Sequence, residues 1–114
     1  MTFEQKKLLN DMEQSVLNID IHLESRRVFE EYAANITKRR AVERELEIIG
    51  EATNKLLKTD PDFPVSSARK IVNMRNRVIH AYDSVDETII WKIIMKDIPL
   101  LLSEVRELLG KYQS

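Results

Sequence analysis

Cysteine is absent from the 114 residues. That excludes a disulfide framework, thiolate-bound zinc and thiolate catalysis, and it fits a reducing compartment. Glycine and proline are scarce, at two and three residues. A β-sandwich needs turn residues roughly every 8–12 positions, so that class is excluded. No apolar run approaches the ~18–20 residues that span a bilayer. The opening Met1-Thr2-Phe3-Glu4-Gln5-Lys6-Lys7 lacks the apolar stretch of a secretory signal. The expectation is a cytoplasmic protein with no membrane association. Neither charge sign dominates: 18 basic and 19 acidic residues give a formal net charge of −1. Any case for nucleic-acid binding must therefore be local. Gly-rich phosphate loops, HExxH and EF-hand patterns are also missing, so no metal and no cofactor are expected.

What is present reads as helix. Charged residues (32%) alternate with an apolar share of 43%, as amphipathic surface helices require. The length suits one domain, residues 1–114. Leu9, Met12, Val16, Ile19 and Leu23 recur at spacings of three and four and predict a first helix from Phe3 to Leu23. Ser25 is a candidate cap for a short segment carrying Val28, Phe29 and Tyr32. Val42, Leu46, Ile49, Ala52 or Thr53, and Leu56 predict a long helix over Thr37 to Lys58. Gly50 inside it costs about 1 kcal/mol relative to Ala, which close approach of a neighbouring helix would offset. Asp60-Pro61-Asp62-Phe63-Pro64 is a clear break. Ser66 or Ser67 then caps a fourth helix through His80, and Ala81 to Asp86 form a turn. A fifth helix runs from Asp86 or Glu87 to Leu109 and ends at Gly110. Pro99 should kink or restart it, with Asp97 as cap. The fold class is all-α, an antiparallel bundle of four or five helices.

Catalytic hardware is sparse. His22 reads as a solvated surface residue. The second histidine has different company: Ala68 to Tyr82 holds Arg69, Lys70, Arg75 and Arg77 and no acid. Such a local positive patch suits a phosphate backbone. Asn76 and His80 stand four apart, on one helical face. Arg75 and His80 are five apart, about 140° on an ideal helix. They share a site only if the helix ends near His80 or a second copy of the chain completes it. Histidine exchanges protons near neutral pH, and arginine grips and neutralises a phosphate. Together they suit RNA cleavage by the RNA's own 2′-OH. The plainer alternative is a histidine complementing the helix dipole, with arginines solvating the outer face. Composition and spacing alone leave both open.

The string Arg75-Asn76-Arg77-Val78-Ile79-His80-Ala81-Tyr82 resembles the Arg-(polar)-x-x-x-His signature of HEPN nucleases, in the Arg-x4-His-x-Tyr version of HepT toxins. Ala41 to Ala52, with Ile49-Gly50-Glu51-Ala52, is similar to that family's central helix. Asp86 to Leu101, with Trp91 and Asp97-Ile98-Pro99-Leu100, is similar to its last helix. The three blocks in order cover nearly the whole chain. A tryptophan that family members often carry before the motif helix is replaced here by Pro64-Val65-Ser66-Ser67. The resemblance implies a HEPN-like bundle, a homodimer with facing motifs, and metal-independent RNase activity on RNA such as tRNA or mRNA. It implies a type VII-like toxin–antitoxin pair with a cognate minimal nucleotidyltransferase. Carried over, Arg75 and His80 are the catalytic pair and Asn76 supports them. Tyr82 is the AMP acceptor, and Arg69, Lys70 and Arg77 bind phosphate. Glu47 and Glu51 line the same cleft, pair with Arg75, or belong to an ordinary solvated helix face, the last being the plainer reading for Glu47. The alternative within the resemblance is a non-enzymatic partner subunit of a nucleotidyltransferase.

Overall fold

The computed structural model describes the backbone of residues 1–81 and 86–113, and their side chains except at 75, 77–81, 112 and 113. Described residues are helical or in short connections, with no strand among them. The helices are α1 (Phe3–His22), α2 (Phe29–Ala34), α3 (Ile36–Thr59), α4 (Ser66–Ala81), α5 (Glu87–Lys92) and α6 (Ile98–Gln113), with a π-helical segment, Ile93–Asp97, joining the last two. This is the expected all-α bundle.

Helix α1 starts at a capping box, in which Thr2 Oγ1 accepts from the Gln5 amide and Gln5 Oε1 accepts from the Thr2 amide. Its five stripe residues are all buried. Asn35 caps α3 by accepting from the Lys38 amide, and every stripe position of α3 is buried too. The two long helices run antiparallel: Gln5 Nε2 near the start of α1 donates to Thr59 Oγ1 at the end of α3, at 2.9 Å. At the other end His22 meets Glu45 at 2.7 Å. Buried residues of α1, α3, α4 and α6 join in one core cluster.

Several local expectations are corrected. Ser25 does not cap α2. It lies in the left-handed region (φ 57°) with its hydroxyl on Asp20, while Val28 holds the cap position with no side-chain bond. Neither Ser66 nor Ser67 caps α4. Arg69 N–H donates to the Val65 carbonyl, so the helix begins one residue earlier than a Ser66 cap allows. The capping acceptor is Glu104 of α6, which takes bonds from the Ser67 amide and the Ser66 hydroxyl at 3.1 Å each. A carboxylate there complements the helix dipole. Gly110 does not end α6, which continues to Gln113. The final helix is interrupted near Pro99 as expected, but Asp97 is not its cap. Pro99 has no N–H and its ring crowds the carbonyl four residues back. The ladder instead re-registers, with Ile98 N–H bonded to the Ile93 carbonyl, and Asp97 turns inward and is buried. At Gly50 a Cβ would meet only Val72 Cγ2, at 3.7 Å. Helix α4 does pass there, yet at ordinary contact distance, so sterics do not demand the glycine. Of the turn expected over Ala81 to Asp86, Ala81 is instead the last residue of α4 and Asp86 caps α5, while 82–85 lie outside the described residues.

Candidate active site

Helix α4 carries the motif. It is anchored by Ala68 and Ile71, both fully buried, with Val65 just ahead of them. Phe63 and Val65 bury beside the helix start. Helix α6 and the π segment brace α4 from one side in antiparallel sense, since Ser66 meets Glu104 and Lys70 meets Asp97. Helix α3 braces it from the other, with Gly50 beside Val72.

The patch residues differ in what they touch. Lys70 Nζ lies 3.1 Å from Asp97 Oδ1, with side-chain exposures of 55% and 4%. The contact is an ion pair without hydrogen-bond geometry. The local excess of positive charge is thus partly answered by an acid from a distant part of the chain. Arg69 Nη2 donates to the Pro61 carbonyl at 2.8 Å, a neutral acceptor that leaves the guanidinium charge in place. Asn76 is exposed and lines a shallow cleft of about 250 Å³ with Glu47, Gly50, Glu51, Asn54 and Val72. Both glutamates are within reach of Arg44 Nη1, at 3.0 and 3.4 Å. Glu47 and Glu51 thus share the wall of this cleft with Asn76 and pair with Arg44 on the surface of α3. The side chains of Arg75, Arg77 and His80, and all of Tyr82, lie outside the described residues. The α4 backbone stays helical through Ala81, so positions 75 and 80 keep the angular offset of about 140°.

Beyond 82–85 the chain re-enters at a tied-down point. Asp86 caps α5 by accepting from the Thr88 amide. Glu87 accepts from the Tyr32 hydroxyl at 2.5 Å and stands 3.8 Å from Arg39. Tyr32 is buried against Trp91, with Phe29 edge-on to the same indole. Burial first, then the Glu87 hydrogen bond, pushes the Tyr32 phenol up, so it stays a donor. Burial first, then the charge of Glu87, also raises the Glu43 carboxyl. A carboxyl raised in the fold stabilises it most when protonated, and that contribution is lost as pH rises through the folded value. Glu43→Gln should therefore raise the melting temperature at pH 7 and lose that advantage below the ordinary carboxylate range. Paired thermal melts at the two pH values check this.

His22 is half-buried rather than freely solvated. Its Nε2 lies 2.7 Å from Oε2 of the buried Glu45, whose other oxygen has no hydrogen-bond partner among the described residues. Sequence spacing carried no signal for this pair, or for Tyr32–Glu87, Lys70–Asp97 and Glu104, because each joins residues far apart in the chain.

Comparison with known proteins supplies the family. Residues 12–108 match the family described as Ribonuclease HepT-like. A protein of Caldanaerobacter subterraneus subsp. tengcongensis, named a candidate RNase, is 39% identical over 87 residues, covering 73% of this chain and 75% of its own. The "Probable ribonuclease HepT" of Thermococcus cleftensis is 37% identical over 84 residues (70% and 74%). A candidate RNase of Methanocaldococcus jannaschii is 38% identical over 79 (68% and 72%). No solved structure matches the chain significantly. The chain belongs to the HepT-like family of HEPN ribonucleases. Among the described residues no helix is long and apolar enough to cross a membrane.

Proposed function

We propose that this chain is an endoribonuclease toxin of a type VII-like toxin–antitoxin pair, acting in the cytoplasm as a homodimer on an RNA substrate. The observation that carries the reading is the Arg75-Asn76…His80-Ala81-Tyr82 string at the C-terminal end of α4, inside a matched HepT-like domain. In the reaction His80 takes the proton of a ribose 2′-OH, and the 2′ oxygen attacks the adjacent phosphorus. The P–O5′ bond breaks, the 5′ oxygen takes a proton from protonated His80 and leaves as a hydroxyl, and a 2′,3′-cyclic phosphate remains. Arg75 offsets the charge gathering on the pentavalent phosphate, and Asn76 orients it. Arg77 and Arg69 supply positive charge for the flanking backbone, with Lys70 beside them. Facing motifs from two chains overcome the angular offset between positions 75 and 80.

The antitoxin in this reading is a minimal nucleotidyltransferase that adds AMP to Tyr82. The added nucleotide is bulky and anionic, sits two residues from His80, and competes with RNA for the same positive surface. The test is the intact mass of the chain co-expressed with such a partner, wild type beside Tyr82→Phe. One or more AMP units on the wild type alone is the expected result. A stable complex with no added mass, and no ribonuclease activity from the free chain, would replace this reading with a non-enzymatic partner subunit.

A further inference from the structure

A second hollow lies on the same helix as the cleft beside Asn76 and is larger than it. It is an open hollow of about 780 Å³ between the 61–66 connection and α4, lined by Pro61, Phe63, Pro64, Arg69, Asn73 and Met74 among others. Its floor is apolar and firm, since Phe63 and Val65 are buried. We infer that this groove is a nucleobase subsite, which takes a base of the single-stranded RNA at a short distance from the bond being cut. The inference rests on the ribonuclease reading above.

Three observations lead there. The first is continuity with the motif. Positions 69, 73, 76 and 80 follow one another at intervals of four, three and four, which is one face of a helix. Arg69, Asn73 and Asn76 are all exposed on it, and no acid interrupts it on α4. The rise of about 1.5 Å per residue puts position 73 about 10 Å from position 80 along the axis, within the span of a short strand.

The second is the state of Arg69. It is exposed, yet one guanidinium nitrogen is bonded to the Pro61 carbonyl. An arginine held this way offers its planar face with little further ordering to do, and bases of single-stranded RNA stack on such planes. Beside it Asn73 offers a donor and an acceptor to a base edge.

The third is charge. Lys70, also on the groove wall, is engaged by Asp97, and Asp62 stands on the same wall. Arg69 keeps its charge, which a phosphate flanking the base can share, while the other cation of this wall is offset by an acid. Apolar walls, an amide and one fixed guanidinium fit the flat, uncharged face of a base.

The experiment has two arms. In the first, cleavage rates are compared between the shortest oligonucleotide that is still cut and versions lengthened on either side. Lengthening on one side should raise kcat/KM by about tenfold, a stacking-sized effect. Asn73→Ala and Arg69→Ala should each shrink that ratio toward one. Asn73 is exposed, so its variant keeps the fold, and the ratio cancels any general loss of activity. In the second arm, the same labelled oligonucleotides are titrated against His80→Ala protein. Affinity should grow with length, and the Asn73→Ala/His80→Ala double variant should lose the gain. Length gains that survive both groove substitutions overturn the inference. So does a loss confined to nucleotidyltransferase binding, which would make the groove a protein-docking surface. Length-dependent binding that needs the groove, but with no cleavage by wild type, would leave the subsite standing and overturn the catalytic reading instead.

Discussion

His80→Ala is expected to lower RNA cleavage by about 10²–10⁴-fold, the usual contribution of a positioned general acid or base. Arg75→Ala should fall in the same range, since removing a group that stabilises transition-state charge costs about 10²–10³-fold. Neither change removes the described anchors of α4, because Ala68 and Ile71 lie at least one turn before position 75 and more than two before position 80. Circular dichroism and the melting temperature, measured beside the cleavage assay, should therefore show a folded protein. Growth arrest on expression should disappear in step with cleavage. A His80→Ala protein that cuts RNA at the wild-type rate would remove this histidine from the chemistry altogether.

Ile71→Ala should be the most damaging of the described core changes for the site. The side chain is fully buried in the central cluster, and truncating such a residue to alanine costs about 2–5 kcal/mol. For a domain of this size that is a fall in melting temperature on the order of 10 °C or more. The damage should also be local. α4 is otherwise held by the smaller Ala68, by Val65 at its start, and by two polar ties to the π segment and α6, Lys70–Asp97 and Glu104. Hydrogen exchange should accordingly rise in α4 before it rises in α1 or α3. Urea unfolding gives the magnitude. A loss below about 1 kcal/mol would mean that α4 is not packed as described. Asn73→Ala, exposed on the opposite side of the same helix, is the control and should stay within about 0.5 kcal/mol.

The helices were legible because burial writes a period into the chain. Every apolar stripe residue assigned to α1 and α3 is buried, down to Leu56 and Leu23. The motif string was legible because its residues are local. What sequence could not reveal were partnerships across the fold. Ser66 and Ser67 look like caps by residue type, yet the capping carboxylate comes from Glu104. His22 read as solvated because it stands at the end of the first helix with Asp20 and Glu24 nearby, whereas its partner Glu45 lies 23 positions on. The charge of Ala68 to Tyr82 looked unanswered because Asp97 belongs to another helix. Gly110 looked like a stop signal, but a glycine ends a helix only where the chain turns into the left-handed region, and here it does not.

The π segment has a consequence for the whole C-terminal rod. Ile90, Ile94, Ile98, Leu101, Val105 and Leu109 are all buried, and their spacing is mostly four. On an ideal helix each step of four overshoots a full turn by about 40° and each step of three falls short by about 60°. Summed over this rod, the stripe would precess about 100° between its ends and carry Leu109 off the core. One wide turn absorbs about one residue without advancing the rotation, which winds the stripe back by nearly the same angle. Ile93–Asp97 is thus a phase correction, placed where Pro99 had already broken the ladder. It lets a single rod keep one edge on the core and deliver Glu104 to the start of α4, so the bearing of the motif helix is set by a register shift in another part of the chain.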